Sequence, residues 1–380
     1  MTNVLSFLIF LSLATSLIKT DFSIAAICFV IFILWNKYKG TFLPISRVDN
    51  RIYLAMGIYG GLVLLSSVAH VDLKVIKNGF EYIEWMLPFF LFIWLYKYGD
   101  TNNGIKFAMI ISVFIMCGYA IYQHYGMGIG RVKSFFAHPN HFATMLELLL
   151  PFMLVYIYNS KNKLVRIGLA LAIILDGVCI WLTGCRGTWL SLVIGLFICV
   201  VLFLYYESPK NRNKIIVLIA VVVLCLGGVV ASGKLNRSYD YQRVHIFKSS
   251  VEMWKDHKLI GVGIGNFGKL YQNKYISPEA TEKHIYKSHN IVTAFLAYTG
   301  IIGTIGFIAL NIILFYYLIS VLKLNIYNIS VWAMLWVLLT INIHGMVDTT
   351  FIHSSNNRMF WALLGISYVN GLSFLKQTKR

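Results

Sequence analysis

Apolar runs separated by short polar breaks cover most of the chain. They fall at about 4–18, 22–35, 52–70, 82–96, 107–125, 142–158, 167–183, 188–206, 215–232, 290–322, 329–345 and 358–375. Most approach the roughly 17–25 residues that an α-helix needs to cross a bilayer. A transmembrane β-barrel would instead alternate apolar and polar positions in short segments. The pattern predicts an all-α fold, a polytopic transmembrane helical bundle of about 12 spans in a single domain over residues 1–380. One long polar loop, residues 233–289, interrupts it. Within that loop, VHIFKSSVEMWKDH sets Val244, Phe247, Val251 and Trp254 at helical spacing, which predicts an amphipathic helix. GVGIGNF follows, and its glycines predict a tight turn with close backbone approach. A dinucleotide-binding loop would need a strand before it, and none precedes.

Composition agrees with the pattern. The chain is 58% hydrophobic and 13% charged, against about 25% charged in soluble domains. Its first apolar run lacks a basic leader and a small-residue cleavage site, so it is expected to stay as a helix. The six cysteines lie in or beside apolar runs with no CxxC pair, which points to packing and away from a disulfide or zinc framework.

The net charge of +18 adds topology. With the amino terminus inside, the inner segments hold 16 Lys and Arg and the short outer loops hold 7. Positive charge accumulates on the cytoplasmic side of short loops, so both termini are expected in the cytoplasm and the 233–289 loop outside. That loop carries ten basic residues against five acidic ones, an excess suited to an anionic ligand.

Three polar clusters fall at the outer end. Arg186, in TGCRGTWL, sits in a tight hairpin between two spans, where a charge near membrane depth is costly and is expected to be paired or functional. Arg243 is expected at the start of the loop helix, a place suited to an anion. His289 opens the span after the loop. Its titration range suits a general base, and Asn290 beside it could orient a substrate. FFAHPNHFA supplies Asn140 and His141, although Pro139 and Asn140 could equally begin a helix. IHGMVDTTF supplies His344 and Asp348. Arg131 and Lys133 are the other basic candidates nearby.

These motifs, FFAHPNHFATMLELLLPF, TGCRGTWL, R-x10-W-x6-GVGIGNF from Arg243 and HN-x9-GIIGT from His289, resemble in order those of the O-antigen ligase/polymerase superfamily of bacterial envelope proteins. The resemblance covers roughly residues 131–306, and Cys185 stands where a serine is common. It implies a glycosyltransferase in the bacterial inner membrane, acting on the periplasmic side. Such an enzyme moves an undecaprenyl-diphosphate-linked O-antigen onto lipid A-core, as in lipopolysaccharide biosynthesis, without metal or other cofactor and with no protein partner required. It implies His289 as base and Arg186 and Arg243 as diphosphate holders. A polymerase of the same superfamily is the alternative. A glycan transporter fits less well, because the spans are nearly free of charge apart from Glu147 and Asp176.

Overall fold

The structure, a computed structural model, describes residues 1–15, 21–41, 43, 48–208, 210, 213–217, 238–280 and 283–377. Among these residues the secondary structure is helical and contains no strand. The principal helices are α1 (Thr2–Thr15), α2 (Asp21–Tyr38), α3 (Asn50–Val68), α4 (Leu73–Glu84), α5 (Leu87–Lys97), α6 (Asn102–Tyr125), α7 (Pro139–Asn159), α8 (Lys163–Thr183), α9 (Arg186–Glu207), α10 (Ser238–Asp256), α11 (Phe267–Leu270), α12 (Ile291–Leu324), α13 (Ile329–Gly345) and α14 (Ser354–Gln377). Six of them, α3, α6, α7, α8, α9 and α12, are long and apolar enough to cross a membrane. The helices α1 and α13 are apolar but shorter. The span expected at 215–232 lies almost entirely outside the described residues.

Two expected spans are broken. The run at 82–96 is not one helix: α4 ends at Glu84 and α5 begins at Leu87, with Pro88 in its first turn. Proline has no N–H to give a preceding turn, so it is best tolerated at a helix start. The run at 290–322 bends at Gly300, whose φ of +63° is left-handed. A side chain there would meet the Leu259 carbonyl at 2.3 Å, so only glycine fits the crossing.

The bend makes a docking site for the GVGIGNF turn. Val262 N and Gly263 N donate to the carbonyls of Ala297 and Tyr298, at 2.8 and 3.0 Å. Ile301 N and Ile302 N donate to Lys258 and Leu259, at 2.9 and 3.2 Å. Ser66 of α3 bonds both Ile260 O and Thr299 O. The groups that leave the helix ladder at the kink thus find partners, as buried backbone groups must. The turn is the close backbone approach its glycines predicted.

Helix α10 is the helix expected within the loop. Its buried residues are Gln242, His245, Ile246, Ser249, Ser250 and Met253, on the side packed against α12. Val244 and Phe247, from the apolar stripe that the spacing predicted, are 49% and 46% exposed. The small hydroxyl-bearing face lets α10 lie close on polar loop backbone, and the apolar face is left outward.

Chain direction puts one set of helix ends together. The starts of α7 and α12, the segment after α13 and the end of α8 are joined by hydrogen bonds of Asn140, Asn290 and Arg131. The opposite end holds Thr2, whose hydroxyl bonds Asp100 O.

Candidate functional site

His289 stands at this shared end, one residue before the cap of α12. Asn290 is that cap: its Oδ1 accepts from Val292 N at 3.0 Å and Thr293 N at 3.1 Å, and its Nδ2 donates to Met346 O at 3.0 Å. Asn290 therefore aims the chain and is spent on structure. Ser288, on the other side, is buried. Its N–H donates to Tyr298 Oη at 3.0 Å and its carbonyl accepts from Thr349 Oγ1 at 2.6 Å. The backbone is clamped on both sides of the histidine, while the ring keeps 21% of its surface exposed.

The ring faces a carboxylate. His289 Nδ1 lies 3.5 Å from Asp348 Oδ1, an ion-pair distance at the outer edge of hydrogen bonding. Asp348 is 2% exposed. It accepts from Thr349 N at 2.6 Å and from Asn140 Nδ2. Burial alone would raise this carboxyl. The His289 ring and the Lys287 ammonium beside it outweigh burial and hold it well below the usual carboxylate range. An ionised carboxylate only accepts, so Nδ1 is the donor nitrogen and Nε2 presents a lone pair outward.

Behind Asp348 the network continues. Asn140 Oδ1 accepts from Arg131 Nη2 at 2.8 Å, and Arg131 Nε donates to Thr183 O at 2.8 Å. Thr183 ends α8, Gly184 turns the chain with φ +64°, and Arg186 is the first residue of α9. The line His289–Asp348–Asn140–Arg131–Thr183 thus ties the base to the hairpin that carries Arg186. Helix α9 directs its first N–H groups and positive dipole end to the same place, and Arg186 is its first residue.

Arg243 is not where the sequence suggested. Helix α10 starts at Ser238, so Arg243 lies in its second turn and gains nothing from a helix start. It lies two turns, about 10 Å, along α10 from Ser250, whose hydroxyl meets Ser288 Oγ at 3.1 Å.

The two residues of IHGMVDTTF separate. While Asp348 faces His289, His344 turns inward, with Nδ1 2.8 Å from Glu147 Oε1 and Nε2 3.5 Å from Cys185 Sγ. His344 and Glu147 are 1% and 0% exposed. His141 also turns from the expected place beside Asn140: its Nε2 accepts from Lys287 Nζ, and its ring stacks on His353 at 4.0 Å. His138 caps α7, its Nδ1 accepting from Asn140 N at 3.2 Å. Burial, with Lys287 and Arg131 nearby, lowers His138 to about 4. Lys287, Thr349 and His353 were not singled out from sequence. The position of Lys287 two residues before His289 was the available signal.

Comparison with known proteins bears on this arrangement. Residues 169–308 match the family model described as O-Antigen ligase. That match supports assigning the chain to the O-antigen ligase family. The ligase-family segment holds Arg186, Arg243 and His289, whereas Arg131, Asn140, His141 and Asp348 lie outside it. A protein of Haemophilus influenzae described as uncharacterized is 22% identical over 314 residues, covering 76% of this chain and 77% of that one. The matched family is a glycosyltransferase-like family of O-antigen ligase/polymerase-type membrane enzymes, whose general substrates are a lipid-linked glycan and a lipid acceptor, and the apolar helices agree with a multi-pass membrane protein.

Proposed function

We propose that this protein is an O-antigen ligase, transferring a glycan from undecaprenyl diphosphate to lipid A-core on the periplasmic face of the inner membrane, with both termini cytoplasmic. The observation that carries the reading is the partly open His289 ring backed by buried, ionised Asp348 at the end of the bundle where Arg186 begins α9.

In this reading His289 Nε2 takes the proton of an acceptor sugar hydroxyl as its oxygen attacks the anomeric carbon. The carbon–oxygen bond to the diphosphate breaks and its electron pair leaves with the diphosphate. Attack from the opposite face inverts the anomeric centre. Asp348 stabilises the imidazolium that forms, as a carboxylate does behind a catalytic histidine. Arg186 and Arg243 hold the diphosphate through planar forks matched to phosphate oxygens, and stabilise the charge that grows there.

The test is purified protein in liposomes with undecaprenyl-diphosphate-linked glycan and rough lipopolysaccharide. Glycan on lipid A-core is the expected product, formed equally in EDTA. Elongated glycan that stays on the polyprenyl carrier would make the protein a polymerase. Loss of activity in EDTA with recovery on adding magnesium or manganese would overturn the arginine part of the mechanism.

A further inference from the structure

A cavity of about 480 Å³ opens beside the candidate base, within the roughly 300–1,000 Å³ of small-ligand sites. Lys287 and Thr349, which flank the His289–Asp348 pair, line one wall, with His141 and His353. Trp85 and Glu81 of α4 line the opposite wall.

Two features of its lining call for a ligand. Lys287 is half-buried, and burial lowers its ammonium while Asp348 opposes that effect. Its bonding partner is the neutral lone pair of His141, and no ion pair with a carboxylate forms among the described residues. Asp348 is shared with His289 and only partly offsets the desolvation of this ammonium, and an entering anion offsets more of it. Several donors also lack acceptors. Because His141 Nε2 accepts from Lys287, its Nδ1 carries the proton, and that Nδ1 has no partner among the described residues. Trp85 Nε1 is in the same state, and His353 Nδ1 also has no partner among the described residues. His141 and Trp85 are 5% and 4% exposed, so these donors face the cavity and not open solvent. The walls are otherwise aromatic, from Tyr82, Phe267 and Tyr298, with Glu81 and Asn78 as acceptors. Aromatic faces with interspersed polar groups suit a sugar ring, and the donor cluster suits a charged substituent on it.

We propose that this cavity seats the acceptor, and that the acceptor is an anionic sugar whose phosphate or carboxylate is held by Lys287, Trp85 and His141. The assignment of the occupant as acceptor rests on the transfer reaction proposed above. Lys287 lies two residues from His289, so a sugar anchored there presents a neighbouring hydroxyl to Nε2. The diphosphate of the donor occupies the other side, toward Arg186. Lys287 on this account is a specificity-determining residue, and its charge selects among acceptors.

Binding and transfer are measured separately. Core oligosaccharide freed of lipid is titrated calorimetrically into the full-length protein in detergent, in three forms: native, enzymatically dephosphorylated, and carboxyl-reduced. One of the two neutralised forms is expected to bind roughly 10- to 100-fold more weakly, the scale of a lost charge-assisted hydrogen bond; which one names the anion. Lys287→Met is expected to weaken the native form by the same factor and to bind the neutralised form no worse than wild type does. His353→Phe, which keeps the stacked ring, is expected to weaken the native form less. Melting temperature and elution volume confirm that each variant is folded. Equal binding of all three forms by wild type, an unchanged affinity in folded Lys287→Met, or inorganic phosphate binding as tightly as the oligosaccharide would overturn the proposal. In the liposome assay Lys287→Met is expected to raise the KM for lipid A-core and leave that for the donor unchanged. Lys287-dependent binding without transfer to lipid A-core would sink the ligase reading and leave the anionic-sugar site standing. Transfer with Lys287-independent binding would do the reverse.

Discussion

Two histidine–carboxylate pairs lie close together at one end of this bundle, and they differ in everything except composition. His289 and Asp348 meet on loops at the open end, 3.5 Å apart, with the ring 21% exposed. His344 and Glu147 meet between α13 and α7 at 2.8 Å, with both side chains sealed. Ser191 Oγ donates to Glu147 at 3.1 Å, and Thr144 and Cys185 close the remaining sides of the pair. The sealed pair ties α7, α9 and α13 together and reaches no solvent. The open pair has its carboxylate saturated from behind and one ring nitrogen left for a substrate. The same two groups thus make a brace when every lone pair is used internally, and a base when one is withheld.

Breaking each pair should separate these roles. His289→Ala is expected to reduce transfer by roughly 10²–10⁴-fold, the usual contribution of a general base, with little change in melting temperature. Glycan attachment measured at matched protein levels checks it. Next come Arg186→Lys and Arg243→Lys, each expected to cost about 2–4 kcal/mol in the transition state, roughly 30- to 1000-fold in rate. The readout is polymer-bearing lipopolysaccharide on a gel from a complemented ligase-null strain. Lys269→Ala is the matching control, because Lys269 is exposed on the same loop. Lys274 is a poorer control, since its ammonium bridges Asp256 at 2.7 Å. If the two arginine variants ladder normally, the diphosphate lies elsewhere and Arg131 becomes the first alternative.

Asp348→Asn comes third. It keeps the shape and removes the charge that steadies the imidazolium; removing an orienting partner from a histidine costs roughly 10- to 100-fold at metal sites, and a similar loss in kcat is expected. Because the carboxyl is held well below its ordinary range, it stays ionised through neutral pH. Its depressed folded-state value means that its contribution to stability is present at neutral pH and is lost only as pH falls through that lowered value. The smallest functional effect is expected from Glu147→Gln. It should cost about 1–3 kcal/mol of stability, as for a buried polar group left short of a partner, with transfer per folded molecule near wild type. A large loss of rate in folded Glu147→Gln would erase the distinction between the pairs.

Sequence carried the helices well, because apolar runs in a membrane protein follow from the bilayer and not from tertiary context. It also singled out His289 and Arg186 as candidates, because they stand at breaks between runs, where polar residues are conspicuous. Pairing was less legible. His344 and Asp348 are four residues apart and read as one cluster, but the end of α13 at Gly345 turns one inward and leaves the other on a loop. Arg243 was misplaced because the polar start of α10 looks like loop until its buried serine face is seen against α12. Gly300 read as part of a continuous apolar run, since a left-handed residue leaves no mark on hydropathy. Lys287 was hidden among ten basic residues of the same loop, and only its contact with His141 sets it apart.

The central claim is that His289 and Asp348 act as one unit. Single-turnover transfer by wild type, His289→Ala, Asp348→Asn and the double variant measures this directly. Residues that act together do not add. The expected result is a double variant no slower than His289→Ala alone. Losses that multiply, or near-normal transfer by His289→Ala, would contradict it.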